Sequence, residues 1–166
     1  MPTVPNDRYP KLRPPELTPT DEICRCLDAP IKLMCAFGYN PLHCLNCNLE
    51  VAPETLALTE SLVEALAGWR DVYDALGYLW LDSGPYEQWA QAQLADIGSA
   101  VNLQGRSVRQ LVDGTRRCYY WLFQDESDPD HRSIVDCPVC GEALNPYAHG
   151  NVPQLICDED SVVAYG

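Results

Sequence analysis

The sequence predicts an α+β fold in which β-hairpins from both chain ends form a small ribbon around a three-helix insertion. Two Cys-x-x-Cys pairs, Cys44/Cys47 and Cys137/Cys140, lie far apart near the two ends of the chain. Between them, apolar residues recur every three or four positions, which is a helical period. An unbroken aromatic run follows and indicates a buried strand. At 166 residues we expect one domain over residues 21–166, with its helical insertion at about 54–114.

The first 20 residues are predicted to be an extended or disordered arm. They contain six of the fourteen prolines and no apolar run, so they resemble neither a secretory signal nor a membrane span. No other stretch approaches the roughly 18 apolar residues that a membrane helix needs. We therefore expect a soluble, cytoplasmic protein without membrane attachment.

Near the front of the chain, one set of mainly apolar residues alternates with a second set, which is the pattern of a half-buried strand. Ile31, Leu33, Cys35 and Phe37 alternate with a second set that includes Lys32, so one face is predicted to be buried. After the first cysteine pair, residues 49–51 can form a short return strand.

Three helices are predicted next. The first starts at Thr55 or Ser61, which matches a capping box, and runs to Leu81. The second opens near Pro85, and Asn102 is the predicted N-cap of the third. Two apolar stripes define the first and second helices: Leu58, Leu62, Leu66, Trp69, Tyr73, Leu76 and Trp80 in the first, and Tyr86, Trp89, Ala90, Leu94 and Ile97 in the second.

The last third of the chain is predicted to be mainly strand. Residues 118–124 are an aromatic run that suits a strand buried on both faces, followed by an acidic loop over 125–131. Residues 143–144 and 155–157 can pair as a hairpin, and 162–165 can add a last edge strand.

The two cysteine pairs predict a structural zinc site. A Cys-x-x-Cys turn directs two sulfurs at one metal, and Gly141 or Asn48 after the second cysteine permits the left-handed backbone that the turn needs. Four thiolates form the tetrahedral set that Zn²⁺ prefers. The leading prediction is one zinc bound by the four cysteines Cys44, Cys47, Cys137 and Cys140.

Other sets of metal ligands are also compatible with the sequence. Cys157 begins a third turn in which Asp160 stands where a fourth cysteine would fall. Cys137, Cys140 and Cys157 can therefore bind metal with Asp160 or His149, which leaves Cys44 and Cys47 to pair with Cys24 and Cys26. Cys35 and Cys118 fall in predicted strands and are expected to be core residues, and His43 is a loop residue or an additional ligand. Nine cysteines without an export signal favour metal binding over disulfides.

The charge of the chain restricts its partners. The formal net charge is −13, which disfavours nucleic acid and anionic membranes and favours a basic protein partner. The alternative is a nucleic-acid site made by Arg106, Arg109, Arg116 and Arg117 beside Trp121, which would grip phosphates and stack bases. The simpler interpretation is that Arg116 and Arg117 neutralise the end of the third helix.

Nothing in the sequence favours catalysis. The motifs of zinc hydrolases, serine hydrolases, phosphate-binding loops and zinc deaminases are all missing, and a zinc with four sulfur ligands has no position for water. The leading prediction is a non-enzymatic zinc protein that serves as a protein-interaction module, either an adaptor or an inhibitor.

Three segments of the second half carry a resemblance: residues 117–122, Cys137–Gly141 with its Cys-Pro-Val-Cys-Gly turn, and residues 155–158. Together they resemble bacterial zinc-ribbon-containing proteins of unknown function, over about the last 50 residues. The resemblance implies a zinc ribbon with a nucleic-acid-binding role. The final cysteine of that family would fall at Asp160, so Cys44 and Cys47 are the expected replacement pair.

Overall fold

The computed structural model describes residues 8–12 and 19–166 of the chain. It contains a six-stranded mixed sheet and three α-helices. The strands are β1 Ile31–Leu33, β2 Leu42–Cys44, β3 Cys118–Trp121, β4 Asn145–Pro146, β5 Gln154–Cys157 and β6 Val162–Tyr165. The helices are α1 Glu60–Asp82, α2 Glu87–Ala95 and α3 Ala100–Asp113. The predicted α+β fold is confirmed, and the three helices lie within the predicted insertion.

The sheet joins strands from distant parts of the chain, in the order β2-β1-β3-β6-β5-β4. Strand β1 runs antiparallel to β2 and parallel to β3, and β3 runs parallel to β6. Strand β5 is antiparallel to both β6 and β4. Strand β6 was predicted to be an edge strand, but it lies inside the sheet between β3 and β5 because Tyr120 and Cys157 both pair with Val162.

Several strands are shorter than predicted. The strand predicted over 31–37 ends at Leu33, and Phe37 has a φ of 57°, which a strand does not allow. The return strand predicted over 49–51 makes only isolated bridges, at Glu50. The hairpin near the C-terminus does form, but Asn145 and Pro146 pair with β5 in place of residues 143–144.

The helix starts differ from the predicted ones. Thr59 caps α1, because its side chain accepts a hydrogen bond from the Leu62 amide, and Ser99 caps α3 in the same way. The predicted cap Asn102 is instead a buried residue inside α3. The side-chain Nδ2 of Asn102 donates to the carbonyl oxygens of Leu94 and Asp96, so this residue links α3 to the end of α2.

The helices cover one face of the sheet. Trp69 of α1 is 1% exposed, its ring centroid lies 5.8 Å from that of Tyr120 on β3, and its indole Nε1 donates to the Val101 carbonyl of α3. Gly105 of α3 permits this packing, since a Cβ there would lie 2.5 Å from Trp69 Nε1. A smaller apolar cluster contains Leu45, Tyr119, Ile156 and Val163. It lies on the other face of β3, because Tyr119 and Tyr120 are adjacent in the strand and point to opposite sides. Strand β3 is therefore buried on both faces, as predicted.

The second helix exposes much of its predicted apolar stripe. Ala90 and Leu94 are buried, whereas Tyr86 is 61% and Trp89 53% exposed. Within residues 8–12 and 19–166, no helix has the length and apolar character that crossing a bilayer requires.

Part of the predicted N-terminal arm can be described. A short 3-10 helix, Pro10–Leu12, packs against α1, with Leu12 fully buried and Lys11 Nζ 2.5 Å from Glu64 Oε2. Residues 1–7 and 13–18 of that arm lie outside the described residues.

Candidate metal centres

Seven of the nine cysteines lie in two separate clusters that could hold a metal ion. We call them the N-terminal cluster, made of Cys24, Cys26, Cys44 and Cys47, and the C-terminal cluster, made of Cys137, Cys140, Cys157 and Asp160. In each cluster the four potential ligand atoms all lie within 4.8 Å of one another. Each cluster therefore has the four donors of a tetrahedral site.

The N-terminal cluster is built on the turn that follows β2. The Cys44 amide donates to the Leu49 carbonyl at 2.8 Å, and the Asn48 amide donates to the Cys44 carbonyl at 3.0 Å. Asn48 has a φ of 63°, the left-handed conformation predicted for this position. The Cys47 amide points at Cys44 Sγ across 3.5 Å, as it does in a metal-binding turn.

A second segment brings two further sulfurs to this turn. The Cys24 amide donates to the Glu50 carbonyl at 2.7 Å, which holds residues 23–26 beside the chain that leaves the turn. The Cys26 amide lies 3.3 Å from Cys24 Sγ. A Cys-x-Cys pair thus completes the cluster.

The C-terminal cluster begins with the same type of turn. The Cys137 amide donates to the Glu142 carbonyl at 2.7 Å, and the Gly141 amide donates to the Cys137 carbonyl at 2.9 Å. Gly141 has a φ of 80°, as the sequence predicted.

A third turn, between β5 and β6, supplies the remaining two donors. The Asp160 amide lies 3.5 Å from Cys157 Sγ, and Ser161 has a φ of 54°, so the backbone repeats the other two turns. Asp160 Oδ2 lies 3.2 Å from Cys137 Sγ and 3.7 Å from Cys157 Sγ. The aspartate takes the place of a fourth cysteine, since the turn depends on backbone hydrogen bonds and carboxylate oxygen is also a zinc ligand.

The predicted single site of Cys44, Cys47, Cys137 and Cys140 is not the arrangement in the structure. Strands β1, β3 and β6 lie between β2, which ends at Cys44, and β5, which ends at Cys157. Each cysteine pair is completed by donors from its own end of the chain, as in the two-site alternative with Asp160. His149 belongs to neither cluster and instead packs against Tyr147, at 5.7 Å between ring centroids.

The two chain ends do meet, but through hydrogen bonds. Tyr147 Oη donates to Asn46 Oδ1 at 2.5 Å, and the Asn151 amide donates to the Asn46 carbonyl at 2.7 Å. Gln154 Nε2 donates to the Leu45 carbonyl at 2.8 Å. The loop between β4 and β5 therefore covers the turn of the N-terminal cluster.

A buried lysine accompanies the N-terminal cluster. Lys32 is 0% exposed, and its ammonium donates to Asn48 Oδ1 at 2.5 Å and to Gln154 Oε1 at 2.8 Å. Burial lowers the pKa of Lys32 to about 8, and negative charge on Cys44 and Cys47 opposes this shift. Because a buried cation needs a compensating charge, Lys32 would offset part of the negative charge of thiolate ligands in this cluster. The strand pattern placed Lys32 opposite the buried face, so the sequence did not reveal this role.

Burial and hydrogen bonds shift the pKa values of the cluster donors in different directions. Burial raises the pKa of Cys24 and of Cys137. Burial also acts upward on Cys44, but hydrogen bonds from neighbouring amides and thiols leave its pKa lowered. Thiol hydrogen bonds from Cys140 and Cys137 lower the pKa of Asp160. A divalent cation would relieve the repulsion between closely spaced anions in each cluster.

The clusters differ in exposure. Cys44 is fully buried, whereas Cys140 is exposed although Cys137 is 2% exposed. The C-terminal cluster can therefore be reached from solvent on one side.

The remaining cysteines and histidines lie outside both clusters. Cys118 is fully buried in β3, as predicted for a core residue, and Cys35 is half-buried. His43 is not in either donor set, and burial lowers its pKa to about 4, so the ring is neutral. Within the described part of the chain its buried Nδ1 has no hydrogen-bond partner.

Two of the four arginines predicted to bind nucleic acid make hydrogen bonds within the fold. Arg109 donates to the Cys118 carbonyl at 3.3 Å. Arg117 donates to Asp113 Oδ1 at 3.2 Å and to Ser161 Oγ at 2.9 Å. Arg106 and Arg116 are half-buried.

The two donor sets fit zinc. Thiolate sulfur and carboxylate oxygen are both ordinary zinc ligands, and four donors form a closed structural site. No family model matches the chain, and neither a curated protein nor a solved structure matches it. The resemblance of the last 50 residues to zinc-ribbon proteins therefore stays a prediction.

Proposed function

We propose that this chain is a non-enzymatic protein that binds two structural zinc ions and uses an exposed surface of its helical layer to bind a basic protein. The observation that carries the proposal is the presence of two separate four-donor clusters, each built on turns with left-handed residues at the same position. Two such sites at the two ends of one small sheet favour a structural use of the metal.

The short strands explain why metal would be needed. Strands β1 and β2 have three residues each and β4 has two, so these segments bury little apolar surface of their own. A zinc bound by the connecting turns would hold them in place, as it does in small metal-dependent domains. Closed donor sets of this kind leave no coordination position for water, which supports a non-catalytic role.

The proposed partner surface lies where α1 meets α2. Tyr78 and Leu81 of α1 are 63% and 53% exposed, and Tyr86 and Trp89 around the start of α2 are 61% and 53% exposed. We call these four residues the α1–α2 surface. Exposed apolar side chains that form one contiguous patch mark interaction sites, and we propose that these four form such a patch. Asp82 lies exposed among them, and the net charge of −13 favours a basic partner.

Metal content measured by native mass spectrometry tests the zinc part of the proposal. We expect two zinc ions per chain. Cys24→Ser and Cys157→Ser should each reduce this number to one, because each change removes a donor from a different cluster. Cys35→Ser is the matched control and should keep both ions. If the unchanged protein held one zinc, and if Cys44→Ser and Cys137→Ser each abolished its binding, the single shared site would be supported. That result would contradict the proposal.

Affinity purification with matched surface variants tests the interaction part. A basic protein should be recovered with the unchanged chain and with Leu111→Ala, which alters a leucine of α3 that is 60% exposed. It should be lost with Trp89→Ala. Equal recovery with both variants would exclude the α1–α2 surface. Recovery of nucleic acid that depends on Arg106 and Arg116 would instead favour the nucleic-acid alternative.

A further inference from the structure

A second type of site lies between the helical layer and the sheet, and none of the cluster residues lines it. It is a cavity of about 160 Å³. Five of its ten lining residues are aromatic: Phe37, Tyr73, Trp80, Trp121 and Phe123. The Trp121 ring packs with the smaller apolar cluster and lies under Lys32 Nζ, so the other four rings are the ones available to a ligand. Neither the metal sites nor the α1–α2 surface accounts for it.

The aromatic rings enclose the cavity from several directions. Trp80 and Phe123 pack edge to face, with their ring planes at 88° and their ring centroids 4.9 Å apart, so these two lining rings have different orientations. Tyr73 is 8% exposed and belongs to the core, whereas Phe37 is 46% exposed. The cavity therefore has a fixed inner side and a more accessible aromatic residue at its outer side.

The position of Phe37 depends on a glycine. A Cβ on Gly77 would lie 2.8 Å from Cε1 of Phe37, so only glycine lets the ring approach helix α1 this closely. Gly77 also lines the cavity. A larger residue at position 77 would displace the ring.

One carboxylate lies among these rings. Asp74 lines the cavity, and its Oδ1 is buried without a hydrogen-bond partner in residues 8–12 and 19–166. The nearby cation, Arg70, donates to the carbonyl oxygens of Lys11 and Tyr39 and to Asp71 Oδ1. The hydrogen bonds of Arg70 thus go to Asp71 and to backbone carbonyls, and Arg70 acts on Asp74 only through its charge.

We propose that this cavity binds a small organic cation with an apolar shell, namely a trimethylammonium group. Aromatic faces attract such a cation through their quadrupole, and a nearby carboxylate supplies the opposite charge. A primary ammonium would need several hydrogen-bond acceptors, whereas a methylated one needs only ring faces and a charge. Engineered cavities of ~150 Å³ accept a benzene-sized ligand, so the volume suits a group of this size.

The protein already uses aromatic rings in this way. Lys32 Nζ lies 4.8 Å from the centroid of Trp121. Arg70 lies over Tyr39 and Arg117 over Tyr119, at 5.6 Å and 4.6 Å. Burial raises the pKa of Asp74 to about 6, so the carboxylate is largely ionised at neutral pH.

Titration of the zinc-loaded protein with choline, followed by tryptophan fluorescence, tests the proposal. Its neutral isostere, 3,3-dimethylbutan-1-ol, has the same shape without the charge. We expect saturable choline binding that is at least about tenfold tighter than that of the alcohol. Asp74→Asn should weaken choline binding about tenfold and leave the alcohol unaffected. Asp82→Asn, which removes one charge at the exposed end of the same helix, should bind choline as the unchanged protein does.

Equal affinity for choline and the alcohol, no saturable binding of choline, or unchanged choline binding by Asp74→Asn would each overturn the proposal. A peptide containing trimethyllysine, compared with its unmethylated form, distinguishes a protein-borne group from a free small molecule. Zinc content measured on the same samples separates this site from the metal centres, because loss of choline binding at full zinc content cannot reflect failure of the clusters.

Discussion

Asp160 Oδ2 lies 3.2 Å from Cys137 Sγ, and this contact makes an aspartate the fourth donor of the C-terminal cluster. The N-terminal cluster has four sulfurs and a buried ammonium beside it, whereas the C-terminal cluster has three sulfurs, a carboxylate and an exposed cysteine. The two centres should therefore hold metal with different strength.

Asp160→Cys should convert the C-terminal cluster into a four-sulfur site that releases zinc more slowly. A change in the groups that merely support metal ligands alters affinity about 10–100-fold, so replacing a ligand should slow release at least about tenfold. Zinc transfer to a chromophoric chelator measures this rate. The N-terminal cluster is the internal control, and the rate at which it releases zinc should not change. Release from both clusters at unchanged rates would contradict the assignment of Asp160.

Lys32→Met should destabilise the protein by about 3 kcal/mol or more, because removal of one member of a buried charged group leaves the others uncompensated. It would also leave Asn48 Oδ1 and Gln154 Oε1 without their donor. Urea unfolding of zinc-loaded protein measures the change. Lys11→Met is the control, since its 57% exposed side chain makes a surface ion pair worth about 0–1 kcal/mol. Equal effects of the two changes would contradict a compensating role for Lys32.

Asp74→Asn should stabilise the protein at pH 7.5 and only about half as much at pH 5. The folded-state pKa of Asp74 is raised to about 6 by burial, and Asp71 adds to the rise while Arg70 opposes it. The stability contributed by the protonated form is complete below the unfolded-state pKa near 4 and is lost as pH rises through 6. Asparagine does not ionise, so the variant does not lose this stability as the pH rises. Urea unfolding at the two pH values checks the difference, and Asp82→Asn should show no comparable change. A stabilisation that is the same at both pH values would contradict the prediction.

Gly105→Ala should destabilise the protein by about 1–3 kcal/mol or more, because its Cβ would lie 2.5 Å from both Trp69 Nε1 and Tyr120 Cε2 in a closely packed core. Gly68→Ala is the matched control. Gly68 is exposed in the middle of α1 with no atom within 4 Å of its added Cβ, so alanine should stabilise by about 0.5–1 kcal/mol. Thermal unfolding of both variants checks the opposite signs. A neutral Gly105→Ala would mean that α3 can shift away from α1 without loss.

Much of the fold follows from local sequence patterns. The helices are predictable because their apolar period is long and regular, and the two Cys-x-x-Cys turns are predictable because they end in Asn48 and Gly141. The starts of α1 and α3 are harder to predict. Asn102 has the chemistry of a helix cap, but its buried contacts with Leu94 and Asp96 come from tertiary packing that local sequence does not contain.

The metal-ligand sets are harder to predict, because spacing shows which two sulfurs share a turn but not which turns meet. Strand pairing decides that question, and β6 enters the interior of the sheet from the far end of the chain. The signal for Asp160 was present in the sequence. Cys157 and Asp160 have the spacing of a metal-binding turn, and an aspartate in the second place is compatible with that backbone.

The arrangement of the strands also has a consequence for the order of folding. The parallel pairs are remote in sequence, since Ile31 pairs with Cys118 and Tyr120 with Val162, whereas each cluster takes its donors from within residues 24–47 or 137–160. Closing a short loop costs less entropy than closing a long one, so local contacts form first. We expect each turn region to capture its metal before the sheet closes. Zinc binding would then limit the rate at which newly synthesised chains fold. With too little zinc, we expect chains whose sheet has not closed, and not a native fold with weaker packing.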